Sequence, residues 1–269
     1  MNKCRGIVAS REYKGPRFLG WPKFRILPLS LDRKIHLIKR TGMELTAQKL
    51  IIEGISQPES DFKSFTSNPM FLYILCEFML RPDTPVFPKH THNVFKDYIW
   101  KRLSRDEDRL RQRFSKTPVE VREAAEKLAY CMTADTGIGL RPTLEQLLES
   151  TKRQSLYLYE FDTYIKALEF LKLARVESSL LDGQEYFTFA HRRFQEYFAT
   201  AIVLREPDRI NLSALLNDAR WRETAVVILQ TQSIEQISTI LSDVMKKLSE
   251  VKKELGEKYP GHKQYKERP

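Results

Sequence analysis

The chain has 269 residues, with 45 Lys and Arg against 35 Asp and Glu, for a formal net charge of +10. Apolar residues make up 42%, enough to bury a real core, which excludes an extended low-complexity chain; no apolar run approaches about 18 residues, which excludes a membrane-spanning helix. The cations are spread along the whole length and mixed with acids, as in Arg102–Arg113 (RLSRDEDRLRQR), so nucleic acid is not an expected partner.

The N-terminus MNKCRGIVASREYK has only a short apolar run and no cleavage-site pattern, so it does not read as a secretory signal. Cys4, Cys76 and Cys131 are odd in number and widely spaced, which suits a reducing, cytoplasmic setting. Gly6–Ala9 (GIVA) and Phe24–Leu29 (FRILPL) both read as strands, the first buried on both faces. Two buried strands cannot form a stable open sheet alone. The expectation is therefore a remnant of an α/β domain over residues 1–31, with the rest of that unit upstream.

From residue 32 the pattern turns helical. Asp32–Thr41 and Glu44–Ile55 show three- and four-residue apolar spacing, with Gly42 as a C-cap between them. Phe62–Ser67 reads as a turn. Asn68-Pro69 then opens an apolar helix, Pro69–Leu80, which a proline-rich loop ends. His92–Leu103 and its charged continuation to Phe114 complete a helical domain over 32–115.

Thr117-Pro118, with Glu120 three residues after the Thr, signals a capped start for the helix Val119–Thr133. Leu144–Ser150 and Phe161–Leu173 read as further helices. Arg175–Leu181 and Glu185–Ala190 form a hairpin turned by Asp182-Gly183. Three helices and a two-stranded wing are the order of a winged helix, placed over 116–205. Leu212–Leu216, Arg220–Gln230 and Ile234–Lys253 read as a last helical segment, 206–255. The charged tail 256–269 is expected to be disordered.

The most informative stretch is Phe187–Ala199, FTFAHRRFQEYFA. A strand runs straight into a helix whose Phe194, Tyr197, Phe198, Ala201 and Ile202 share one buried face. His191 falls at the joint, beside a helix start with unpaired N–H groups and partial positive charge. An imidazole there can help hold a phosphate. Arg192 and Arg193 have the wrong sign for a helix start, so either they turn to solvent or an acid lies nearby. The ordinary alternative is a strand and core helix joined by a solvated histidine.

This segment resembles the "FxHxxFQEYFAA" end of the winged helix in NACHT-type STAND NTPases, which include the NOD-like receptors and many bacterial immune proteins. The resemblance implies that His191 touches the β-phosphate of ADP in a closed state. Ser10-Arg11, at the end of CRGIVASREY, looks like the family's first sensor, which would place Arg11 near the γ-phosphate. Asn68-Pro69-Met70 is similar to the proline motif that packs on adenine, and it assigns Pro69 that role. Arg220-Trp221-Arg222-Glu223 resembles the "RWRE" opening of the next helical region; Trp221 is expected in a core, with no chemistry of its own. The likeness spans about residues 3–250 and keeps these landmarks in order.

The departures are equally plain. No GxxxxGK[ST] phosphate loop occurs, and no apolar strand ends in paired acids to hold Mg²⁺. No HExxH or GxSxG is present, and His90 and His92 lack further ligands for a metal.

The combined expectation is a mainly α chain. It would carry an α/β remnant of a P-loop NTPase domain, a helical domain, a winged helix and a further helical segment. Its implied role is the nucleotide-sensing lid of an ATP/ADP switch. The intact parent would use ATP or ADP with Mg²⁺ and form a homo-oligomer. The phosphate-loop domain is its missing partner, and the chain alone is expected to show no hydrolysis and weak or no nucleotide binding. Two rival readings are a DNA-binding winged-helix protein using Phe161–Leu173 and a helical interaction scaffold.

Overall fold

A computed structural model describes residues 24–58, 60–80 and 86–258. The expected strand Gly6–Ala9, the sensor position Arg11 and residues 259–269 of the tail lie outside the described residues. Within them the chain is mainly helical, and its sheet is one two-stranded antiparallel hairpin.

The expected strand Phe24–Leu29 is not one. Residues 24–30 belong to no strand, and Phe24 and Ile26 are 93% and 95% exposed. A strand is held by pairing with a neighbour, and among the described residues this stretch makes one backbone bond outward, from Leu29 N–H to the Ser67 carbonyl, 2.9 Å. Of the α/β unit expected over 1–31, only residues 24–31 are among those described, and they hold no strand.

The first helical group runs α1 (Leu31–Lys39), α2 (Leu45–Ser56), α3 (Asp61–Phe65), α4 (Pro69–Met79), α5 (Thr91–Arg105) and α6 (Glu107–Phe114). The stretch read as a turn is helix α3, which Ser60 caps by accepting from Phe62 N–H. Asn68 caps α4 by accepting from Met70 N–H at 2.9 Å, with Pro69 at the first helical position. Phe62, Phe65, Phe71 and Phe95 pack edge-to-face or stacked, and Phe87 lies over Phe62 with centroids 4.8 Å apart. Lys34 is buried in this group. Its Nζ donates to the Lys63 carbonyl at 2.7 Å, and burial, then the charge of Lys63, lowers its pKa.

The second group comprises α7 (Pro118–Ala134), α8 (Leu144–Arg153), α9 (Phe161–Phe170), β1 (Ala174–Ser178), β2 (Glu185–Phe189) and α10 (Arg192–Arg205). Thr117–Glu120 and Thr143–Gln146 are reciprocal capping boxes at the starts of α7 and α8. β1 and β2 pair from Ala174↔Phe189 to Ser178↔Glu185, with Gly183 at φ 70° in the connecting turn. Phe187 and Phe189 point into the core, and Phe189 packs on Phe198 of α10.

Helix α10 lies at the centre, against α7 on one side and α12 on another. After it come α11 (Leu212–Asn217), α12 (Arg222–Thr231) and α13 (Ile234–Lys258), with 3₁₀ turns at Pro207–Arg209 and Ala219–Trp221. Trp221 is buried, tilted on Tyr130 with centroids 5.6 Å apart. Gly256–Lys258, expected in a disordered tail, belong to α13.

Candidate functional site

His191 is the N-cap of α10. Its backbone is extended, at φ −144° and ψ 142°, as β2 hands over to the helix. Its Nδ1 accepts from Arg193 N–H at 3.1 Å. A ring nitrogen that accepts carries no proton, so in the neutral imidazole the proton sits on Nε2, which is then a donor. The side chain thus satisfies one unpaired N–H of the helix start.

The half-buried ring lies edge to face with Phe71 of α4, centroids 4.7 Å apart and planes at 74°, and also meets Phe194 at 6.3 Å. Phe71 stands two residues after Pro69. Two segments distant in the sequence, the start of α4 and the start of α10, therefore share one corner. Pro69 is exposed there and Met70 is half-buried. The surroundings of the imidazole are aromatic on one side, and the bond to Arg193 N–H fixes which nitrogen faces its own helix.

The two arginines find acids within the chain. Arg192 Nε donates to Glu196 Oε1 at 2.9 Å, and Arg193 pairs with Glu196 at 3.1 Å and also with Glu223. Burial raises the pKa of the Glu196 carboxyl, with Arg193 opposing. The wrong-sign cations at the helix start find their counter-charges in Glu196, one turn later, and in Glu223. Glu223 comes from the Arg220-Trp221-Arg222-Glu223 segment, so that motif holds α12 against α10.

Other polar groups brace α10 from behind. Gln195 is buried and donates to Thr133 of α7 at 3.2 Å. Thr200 and Thr224 share a buried hydrogen bond of 2.8 Å between α10 and α12. Glu126 of α7 is buried against Arg205 at 2.5 Å and Arg122 at 3.4 Å; desolvation raises its pKa and the two cations oppose this. Sequence reasoning missed these residues, because each is ordinary until its partner from another helix is known. His92 of α5 packs on Tyr197 of α10 with centroids 5.1 Å apart, and burial, then Lys96 and His90, lowers its pKa to about 4.

A concavity of about 650 Å³ lies between α6 and α9, lined by Arg113, Phe114, Ser115, Thr163, Lys166, Glu169 and Phe170. Arg113 sits over the Phe114 and Phe170 rings at 5.6 and 5.5 Å. On α9 the cation Lys166 stands with the acids Asp162 and Glu169, and Glu169 accepts from Val176 N–H at 2.7 Å. This composition is poor for reading base edges.

Among the described residues no group of three His, Cys, Asp or Glu side chains is placed to hold a metal ion, and no helix is long and apolar enough to cross a membrane. No protein-family model and no curated protein matches this chain.

Proposed function

We propose that this chain is the nucleotide-sensing lid of a STAND-type ATP/ADP switch of the NACHT kind, working in the cytoplasm in immune or regulatory signalling. The observation that carries the reading is the Phe71–His191 contact. It brings the start of the proline-led helix to the histidine cap, the two positions that the resemblance assigns to adenine and β-phosphate. The donor set suits the anionic end of a nucleoside diphosphate: an Nε2–H donor beside a helix start. The order of three helices, hairpin and capped helix also agrees with a winged helix over 116–205 and a helical domain before it.

In this reading Pro69 packs on adenine and His191 donates to the β-phosphate of ADP, with Arg11 near the γ-phosphate position of ATP. The phosphate loop and the Mg²⁺ ligands come from a partner unit, for neither is in this sequence. Exchange of ADP for ATP removes the His191 contact, frees the second helical group and permits homo-oligomer assembly. One charge-assisted hydrogen bond is worth about 1.5–3 kcal/mol, or about tenfold to a hundredfold in a closed-to-open ratio. Packing between domains supplies the remainder.

Photolabelling of the full chain with an azido-adenine analogue of ADP tests this, since it captures weak occupancy. The expected label falls on the Asn68–Met70 segment, is displaced by ADP and drops in His191→Asn. A label elsewhere, or ATP hydrolysis by this chain alone, overturns the reading. A salt-dependent shift of duplex DNA would favour the DNA-binding rival instead.

A further inference from the structure

Helix α13 has 25 residues and a length of about 37 Å. Among its described side chains Ile237 is the buried one, at 6% exposure. Beyond that point Val244 is half-buried and Lys247 donates to Asn217 of α11. Its apolar residues nevertheless keep a strict rhythm of three and four: Ile234, Ile237, Leu241, Val244, Leu248 and Val251, with Leu255 next in the sequence. Leu248 and Val251 are each 50% exposed, and Met245 beside them is 64% exposed. A spacing that averages 3.5 residues over three heptads is a seam for another helix of the same period, whereas a helix lying on a globular surface drifts at 3.6.

We propose that α13 pairs with α13 of a second copy of this chain as an antiparallel coiled coil. The charges beside the seam select the direction. In a parallel pair Lys247 of one copy faces Lys252 of the other, twice, which is repulsive. In an antiparallel pair with Leu248 opposite Val251 of the second copy, Lys247 faces Glu254, twice, which is attractive. Leu241 and Leu248 occupy the positions where parallel two-stranded coils favour β-branched side chains, and Val244 and Val251 occupy those where they favour Leu, which disfavours the parallel dimer. The pairing is independent of the nucleotide reading: it uses no residue of the His191 corner and needs no ligand.

Sedimentation equilibrium of the full chain tests the proposal. The expected wild-type species is a dimer. Leu248→Glu should give a monomer with unchanged thermal unfolding of the body, because Leu248 is half-exposed and outside the core. K247E and E254K should each weaken the dimer at least about tenfold, and the K247E/E254K double variant should restore it. Asn217→Ala, which removes only the internal partner of Lys247, should leave the dimer intact. A monomer at every concentration, a dimer untouched by Leu248→Glu, or a dimer tightened by K247E (the parallel outcome) overturns it.

Discussion

The imidazole of His191 and the ring of Phe71, far apart in the sequence, meet edge to face with centroids 4.7 Å apart. Phe71 also stacks on Phe65 at 5.0 Å and meets Phe95 at 5.4 Å, so the histidine cap rests on the aromatic core of the first helical group. Neither group can rotate on the other without breaking that contact.

The cap and ligand roles of His191 separate by substitution. His191→Ala removes the acceptor for Arg193 N–H and should cost about 1 kcal/mol, a fall of about 2–4 °C in Tm. His191→Asn keeps an acceptor at the cap and should unfold close to wild type. Thermal melts of the three proteins check this; equal losses for Ala and Asn would show that the ring's packing on Phe71, not its capping bond, holds the site.

The Thr200–Thr224 bond should show the asymmetry of buried polar pairs. Thr200→Val leaves the buried Thr224 hydroxyl without its partner and should cost about 1–3 kcal/mol, whereas in Thr224→Val the Thr200 hydroxyl still donates to the Glu196 carbonyl at 2.8 Å and the loss should be smaller. The double variant should cost less than the sum of the two, because no orphaned group remains. Urea denaturation of the cycle measures the coupling, and strict additivity would contradict the 2.8 Å bond.

Gly54 of α2 is where a better helix former should fail. A Cβ there would lie 2.5 Å from atoms of the Phe87 ring. Ala gains about 1 kcal/mol of helix propensity over Gly, but overpacking costs about 1–3 kcal/mol. Gly54→Ala should therefore lower the urea midpoint, and adding Phe87→Leu should recover part of the loss. A midpoint raised by Gly54→Ala alone would mean that the ring moves aside freely.

His92 predicts a pH slope of defined sign. Its pKa is lowered to about 4 in the folded chain by burial, then Lys96 and His90, so the unfolded chain binds the proton more readily. The stability from keeping it neutral is complete above about pH 6.5 and is lost as pH falls toward 4, on the order of 3 kcal/mol in all. Glu126 and Glu196, whose pKa values are raised, act in the opposite sense but are common to both proteins compared. The difference in stability between wild type and His92→Phe, measured from pH 7 to 4.5, should therefore shift against wild type on acidification. Parallel curves would show that His92 titrates as if in water.

The sequence by itself determined the local elements, because their signals are short-range. Thr117 with Glu120, Asn68 before Pro69, and Asp182-Gly183 each act through neighbours within a few residues, and helix caps and hairpin turn formed where those residues stand. The place of His191 at the joint was legible too, since the strand and helix on either side of it are both periodic, but its role as the cap of α10 came only with the fold. Tertiary structure decided the rest. Phe24–Leu29 has strand composition but no strand, because pairing requires a neighbour that composition does not supply. One buried face was expected on α10, yet Gln195, Thr200 and Val203 are buried as well, since a helix set between α7 and α12 is covered on more than one side. Arg192 and Arg193 looked misplaced until the fold brought Glu196 and Glu223 to them. Solvation and charge depend on what lies across a few ångströms of space, and only the packed chain decides which residues those are.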